Sequence, residues 1–221
     1  MPLQARGDPG LVYACMTHVP LTVAYPSFVT PIHLGQSQGP GRLNLRDLAP
    51  EWEPHHPILG GTAGSFALRQ LLLTRYPDAK RVGICQYRKF VSRRRISQLS
   101  DPHFHTMDFV HRAALEGLDL AQLLDPGEQP FLVTAPLCFS RWPWRRKGYL
   151  HQYARYHHAE EFLRFTAEAV AQGVLRSDEV VGFFGEDVFI PGGIELGVFP
   201  ADFWLRSIGA VEGVLRACIA R

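Results

Sequence analysis

The segment Arg81-Val82-Gly83-Ile84-Cys85-Gln86-Tyr87-Arg88-Lys89-Phe90 joins a short apolar run to a polar aromatic residue and two cations. Val82, Ile84 and Cys85 suit a buried strand, and Gln86 to Lys89 fall where that strand opens into solvent. Ligands of open α/β sheets bind beyond the carboxyl ends of the strands. Tyr87 there offers a stacking surface, and Arg88 and Lys89 offer fixed positive charge, which fits a phosphorylated or nucleotide ligand. A strand end with solvated basic residues has the same composition, so position alone does not establish function.

Other residues have types that do chemistry. Trp142 and Trp144 alternate with cations in Arg141-Trp142-Pro143-Trp144-Arg145-Arg146-Lys147. Such a loop can stack on sugar faces and grip phosphate, or simply dock its tryptophans on the core. Asp101, His103, His105 and Asp108 crowd one segment and raise a metal site, but no matching ligands stand elsewhere, so a solvated loop is expected. His157 shares a helical face with Tyr153, as a half-buried helix residue or as a phosphate donor or base. Glu186 and Asp187 follow Gly185 and can supply a general base or cap a turn. Glu195, between apolar residues, is a further carboxylate candidate. Gly60-Gly61-Thr62-Ala63-Gly64-Ser65 at a helix start can bind an anion, though it lacks the lysine of a phosphate loop.

The elements that must position these groups read as α/β. With 221 residues and 46% hydrophobic content, the chain can bury a full core as a single domain over 1–221. Strands are expected at Leu11–Met16, ending in Thr17 and His18, at Phe28–Leu34 and at Val82–Gln86. A helix over Ala63–Tyr76 precedes the last of these, and Gln36–Pro57 reads as an extended loop. Further on, Asp108–Leu124 reads as a helix broken at Gly117, and Phe131–Ala135 as a buried strand. One long helix over Tyr149–Gln172 is followed by short strands at Val180–Phe184, Val188–Ile190 and Ile194–Phe199. A C-terminal helix has Ile208, Val211, Leu215, Cys218 and Ile219 on one face.

The formal net charge is +2 and the pI near 8.4, too weakly basic to imply a nucleic-acid partner. The charge is concentrated in Arg88–Arg95 and Arg141–Lys147, which can touch an anionic membrane surface. Four dispersed cysteines without a Cys-x-x-Cys spacing read as reduced core residues. Neither a secretory leader nor a membrane-length apolar run is evident, so a cytoplasmic location is expected, with peripheral contact at the inner membrane.

Val82-Gly83-Ile84-Cys85-Gln86-Tyr87-Arg88-Lys89, with Phe90 close behind, resembles the signature Ile-Gly-Leu-Cys-His-Tyr-Arg-Arg-Tyr-Phe of a bacterial glycosyltransferase-like family found in capsule and lipopolysaccharide synthesis. Thr17-His18 at a first strand end, the helix before the signature and Gln152-Tyr153-Ala154-Arg155-Tyr156-His157 are similar to that family's pieces in the same order. The resemblance implies a GT-A-like fold, a Rossmann-type mixed sheet flanked by helices. It implies a nucleotide-sugar donor and a glycan or lipid-linked acceptor. Donor contacts would fall to Thr17, His18, Tyr87, Arg88, Lys89 and His157. Acceptor contacts would fall to Trp142 and Trp144, and the acceptor base to Glu186 or Asp187. No Asp-x-Asp stands at a strand end, so no metal or other cofactor is expected, and Arg88 and Lys89 would carry the leaving diphosphate's charge. The chain departs from the pattern at Gln86, where the family has His, and at Lys89, where it has Arg. The family's Asn-Met-Phe-like segment is also not recognisable near Ile194.

Overall fold

A computed structural model describes residues 4–5, 8–21, 23–97, 99, 107–138 and 148–220. In chain order the elements are β1 (Gln4–Ala5), β2 (Asp8–Thr17), β3 (Val29–His33), β4 (Leu43–Asn44), α1 (Leu45–Leu48), α2 (His56–Leu59), α3 (Gly61–Arg75) and β5 (Arg81–Gln86). They continue with α4 (Arg112–Leu115), α5 (Leu120–Leu124), β6 (Leu137–Cys138), α6 (Tyr149–Ala154), α7 (Ala159–Ala171), α8 (Val180–Gly185), β7 (Val188–Phe189), β8 (Gly197–Pro200) and α9 (Ala201–Ile219). By internal contacts the chain divides into two compact units, 1–134 with 192–208, and 135–191 with 209–221.

The first unit is built on a mixed sheet of order β4-β3-β2-β5-β8, with β1 paired antiparallel to β2. β4, β3, β2 and β5 are parallel, and β8 closes the edge antiparallel to β5. The chain leaves β2 for β3 on one side and returns through α3 to β5 on the other. The carboxyl ends of β2 and β5 therefore flank a switch point, where such sheets open a crevice. This is the mixed sheet flanked by helices that the sequence predicts.

Both faces of the central strands are covered, which is why they read as unbroken apolar runs. Leu11, Tyr13 and Cys15 of β2 pack with Phe28, Val29, Cys85, Leu124 and Val198. Alternation sends Val12, Ala14 and Met16 to the opposite face, where Met16 presses on Gly64 of α3. Helix α3 buries Phe66, Ala67, Leu68, Leu71 and Leu72, with Trp52 against Phe66 at 4.4 Å. Trp204 of α9 donates from Nε1 to the Ile194 carbonyl at 2.8 Å.

Several expectations are corrected. Residues 36–57 are not an extended loop: 3-10 turns at Gly35–Ser37 and Pro50–His55 alternate with β4, α1 and α2, pinned by buried Trp52 and Leu45. The strand expected at Phe131–Ala135 is a single bridge between Leu132 and Val198, and Phe131 is not buried in a strand but half-exposed, its ring edge-on to Phe199 and Phe203. In Asp108–Leu124 the break expected at Gly117 does separate two helices, but these are only the short α4 and α5, and Asp108 lies in an ion pair before them.

In the second unit, Tyr149–Gln172 is two helices, since His158 takes an extended conformation between α6 and α7. Val180–Phe184 is helical rather than a strand. Val180, Phe183 and Phe184 share the i, i+3, i+4 face, and both phenylalanines lie 5.6 Å from the Phe162 ring. Of the expected strand over Val188–Ile190, Val188–Phe189 pairs with Leu137–Cys138. The Ile194–Phe199 run begins as a 3-10 turn and becomes β8 at Gly197. Among the described residues no helix is long and apolar enough to cross a membrane.

The contact on which the β2–β5 pairing rests is Tyr13 lying over Gly83, its Cα partner in the ladder. A Cβ at position 83 would fall 2.2 Å from Tyr13 Cδ2, inside any allowed approach. Gly83→Ala is therefore expected to cost about 1–3 kcal/mol by overpacking, read as a melting temperature lower by roughly 2–12 °C. An unchanged melting temperature would show that the ring moves freely and that this contact does not fix the ladder.

Candidate active site at the strand ends

At the carboxyl end of β2, Thr17 is buried and its hydroxyl donates to the Val19 carbonyl. Its own carbonyl accepts from Leu34 N and from Ser37 Oγ, each at 2.8 Å. Thr17 thus ties β2 to the end of β3 and shapes the rim from below. His18, the next residue, is exposed, and its ring meets the edge of Tyr87 at 4.9 Å and the ring of His56 at 6.4 Å.

Tyr87 N donates to the Met16 carbonyl at 3.0 Å, which joins the end of β5 to β2. Gln86 and Lys89 then close a tight turn, with Gln86 N donating to Lys89 O at 2.8 Å and Lys89 N to Gln86 O at 3.1 Å. Tyr25 Oη donates to the same Gln86 carbonyl at 2.9 Å. The turn lifts Arg88 and Lys89 into solvent, with the Arg88 guanidinium 5.3 Å from the Tyr87 ring centre. Neither cation has a carboxylate partner among the described residues. The switch point therefore presents an aromatic surface of His18 and Tyr87 beside two uncompensated positive charges, which can stack a planar group and hold a polyphosphate.

The start of α3 lies at the same end. The Gln86 side-chain amide rests 3.0 Å from where a Cβ on Gly61 would stand, and Gly60 turns the chain with a φ of +55°. Thr62 Oγ1 donates to a Glu195 carboxylate oxygen. Glu195 reaches it because β8 runs antiparallel to β5 from Ile84 opposite Gly197, which carries residue 195 toward the level of Gln86. The glycine-rich helix start is thus not an open anion site: a carboxylate of the chain already sits at its positive end. Burial raises the Glu195 pKa above the usual glutamate value, and the Thr62 hydrogen bond only partly offsets this. Burial lowers the His56 pKa; Glu53 pulls it back up and His18 pushes it further down.

The remaining candidates divide between other places. His157, Glu186 and Asp187 belong to the second unit. His157 is exposed, its ring 4.7 Å from Tyr153, which itself stacks on Phe162 at 5.0 Å. The Glu186 side chain is exposed while its carbonyl accepts from Tyr149 N at 2.9 Å; Asp187 is partly buried. Trp142 and Trp144, with the whole Arg141–Lys147 loop, and Asp101, His103 and His105 lie outside the described residues. Asp108 is taken by Arg95, with guanidinium to carboxylate at 2.6 Å, and that hydrogen bond holds its carboxyl below the usual range. Among the described residues no group of three or more His, Cys, Asp or Glu side chains is placed to hold a metal ion. Sequence reasoning missed His56, which sits in a segment without periodicity. It noted Glu195 but had no signal for Thr62 as its partner.

The Glu195 geometry fixes a pH dependence. A carboxyl whose folded pKa is raised loses stability as pH climbs from its unfolded value, 4.5, through the folded one. Glu195→Gln should therefore melt higher than the parent chain at neutral pH, and the difference should vanish below pH 4.5. A variant less stable at pH 7 would mean that the charge at the start of α3 outweighs its desolvation.

No protein-family model matches the sequence, and no curated protein matches it. Among solved structures the chain is similar to the apo structure of the bifunctional glycosyltransferase WbbM, with a TM-score of 0.67 at 13% sequence identity. The match covers 93% of this chain and 36% of that one, so the chain spans about a third of that protein's length. At this identity the likeness establishes a shared fold: the mixed sheet and its flanking helices are those of a glycosyltransferase structure.

Proposed function

We propose that the chain is a glycosyltransferase that moves a sugar from a nucleotide-sugar donor to a glycan or lipid-linked acceptor, in the synthesis of a surface polysaccharide. The observation that carries the reading is the turn Gln86–Lys89, which holds Arg88 and Lys89 at the switch point of the sheet beside His18 and Tyr87. The likeness in fold to a glycosyltransferase structure supports it.

In the proposed reaction the bond from the sugar's anomeric carbon to the donor diphosphate breaks and a bond to an acceptor oxygen forms. The acceptor's hydroxyl proton passes to a base, and the nucleoside diphosphate leaves with the bonding electron pair. Tyr87 and His18 would line the nucleotide, while Arg88 and Lys89 would neutralise the leaving group without a metal held by Asp-x-Asp. Arg88 can grip two phosphate oxygens at once, and Lys89 acts as a point charge. His157 is proposed as a further donor contact and Trp142 and Trp144 as acceptor contacts. Glu186 or Asp187 would take the proton, with Glu195 the carboxyl that the first unit brings to its own strand ends.

A panel of nucleoside diphosphates and nucleotide sugars, with and without Mg²⁺ or Mn²⁺, tests this by thermal shift. At a hundredfold excess over Kd the fitting nucleotide should raise the melting temperature by about 5–10 °C. Arg88→Ala should remove that shift while leaving the unliganded melting temperature unchanged, since the side chain is exposed. No shift with any of these ligands would sink the reading. A shift that appears only with the divalent ion would overturn its metal-independent part.

A further inference from the structure

Beyond the turn, the basic segment continues to Arg95 and is anchored along its length. Val91 is buried, Phe90 lies 6.3 Å from the Tyr25 ring, and Arg93 N donates to the Leu123 carbonyl at 3.0 Å. Ser92 Oγ donates to Arg94 O at 2.7 Å, which fixes the next turn. The three consecutive arginines then have different fates. Arg95 is neutralised by Asp108. Arg93 and Arg94 are exposed and have no carboxylate partner among the described residues.

These two arginines, with Gln122 and Leu123, line a cleft of about 350 Å³, within the range of small-molecule sites. One wall is built for a guanidinium. Gly127, with φ at +61°, leaves Arg93 Nη1 and Nη2 3.5 Å from where its Cβ would stand. Gly127's carbonyl is meanwhile occupied by Arg81 at 2.5 Å, which adds a third positive charge behind Arg93. Among the described residues the charged side chains lining the cleft are donors only, the Gln122 amide offers two donors and an acceptor, and Leu123 is buried and holds Arg93 N through its carbonyl. Such a set recognises an anion rich in acceptor oxygens, and guanidinium pairs favour phosphate.

We propose that the Arg93–Arg94–Gln122 cleft is a second phosphate subsite, separate from the turn at Arg88, that takes the phosphate or diphosphate ester of the acceptor. The assignment to an acceptor rests on the glycosyltransferase reading; the site itself does not. A phosphate-linked lipid and a free diphosphate share the recognising chemistry, and the two arms of the test distinguish them.

The test titrates the full chain with geranyl diphosphate and with inorganic pyrophosphate by calorimetry, alone and with a saturating nucleotide sugar from the thermal-shift panel. The parent chain should bind geranyl diphosphate at least as tightly as pyrophosphate and still bind it with the nucleotide present. Arg93→Ala/Arg94→Ala should weaken geranyl diphosphate at least tenfold while keeping the nucleotide shift; Arg88→Ala should do the reverse. Arg93→Lys/Arg94→Lys keeps the charge and should bind at an intermediate level, which separates guanidinium recognition from a loss of fold. Geranyl diphosphate binding that ignores the double substitution, or that the nucleotide displaces, overturns the second subsite. Tighter binding of pyrophosphate than of geranyl diphosphate overturns the ester source in favour of a free diphosphate. If no nucleotide shifts the chain but geranyl diphosphate still depends on Arg93 and Arg94, the subsite stands and the glycosyltransferase reading falls.

Discussion

The in-register pairing of β2 with β5 is the constraint on which the rest depends. Tyr13 spreads its ring over Gly83, and one residue of slip would put the ring against Val82 or Ile84 and turn every side chain to the wrong face. With the register fixed, Cys15 stands opposite Cys85 and Met16 opposite Gln86. Thr17-His18 and Tyr87 then emerge together at one end. The arrangement of His18 against Tyr87 is thus a consequence of core packing five residues before His18 and four before Tyr87. It costs something: Tyr13's hydroxyl is buried without a hydrogen-bond partner among the described residues, a penalty of about 1–3 kcal/mol that the ring's packing must exceed.

The electrostatics of the strand ends follow from what α3 does there. A long helix that starts at the carboxyl end of a parallel sheet normally offers its positive end to a ligand's phosphate. Here Glu195 fills that place, so negative ligand charge would meet a carboxylate at the start of α3. The uncompensated cations lie elsewhere, on the turn after β5 and on the segment that follows it. In the proposed reading, anion recognition is thereby displaced from backbone amides to side chains, which act at longer reach and respond more strongly to salt.

What was legible in the sequence was whatever local pattern alone determines. β2, β5, α3 and α9 show as apolar runs or as a helical stripe with recognisable stops, because their neighbours on both faces only require that they be apolar. The segment 36–57 hid its turns because Ser37, Asn44 and Trp52 are fixed by partners with no sequence period: Ser37 by Thr17, Asn44 by Gly39 and Asp47, Trp52 by Phe66. The run Val180–Phe184 was too short to tell strand from helix, and Phe162 decided it. Thr62 and Glu195 are 133 residues apart, and nothing in either neighbourhood announces the other.

Gln86 is where these lines meet. Its carbonyl closes the cationic turn and holds Tyr25, while its amide lies across Gly61 at the start of α3, next to the Thr62–Glu195 pair. An amide neither gains nor loses a proton near neutral pH, so position 86 can orient neighbours but cannot exchange protons with a substrate. An imidazole there would titrate near neutral pH, close to the start of α3. With glutamine instead, the shifted groups near the first unit's strand ends include Glu195, set high by burial, and His33 and His56, both set low by burial. In the proposed reaction, position 86 therefore leaves proton exchange to other side chains and can only orient them.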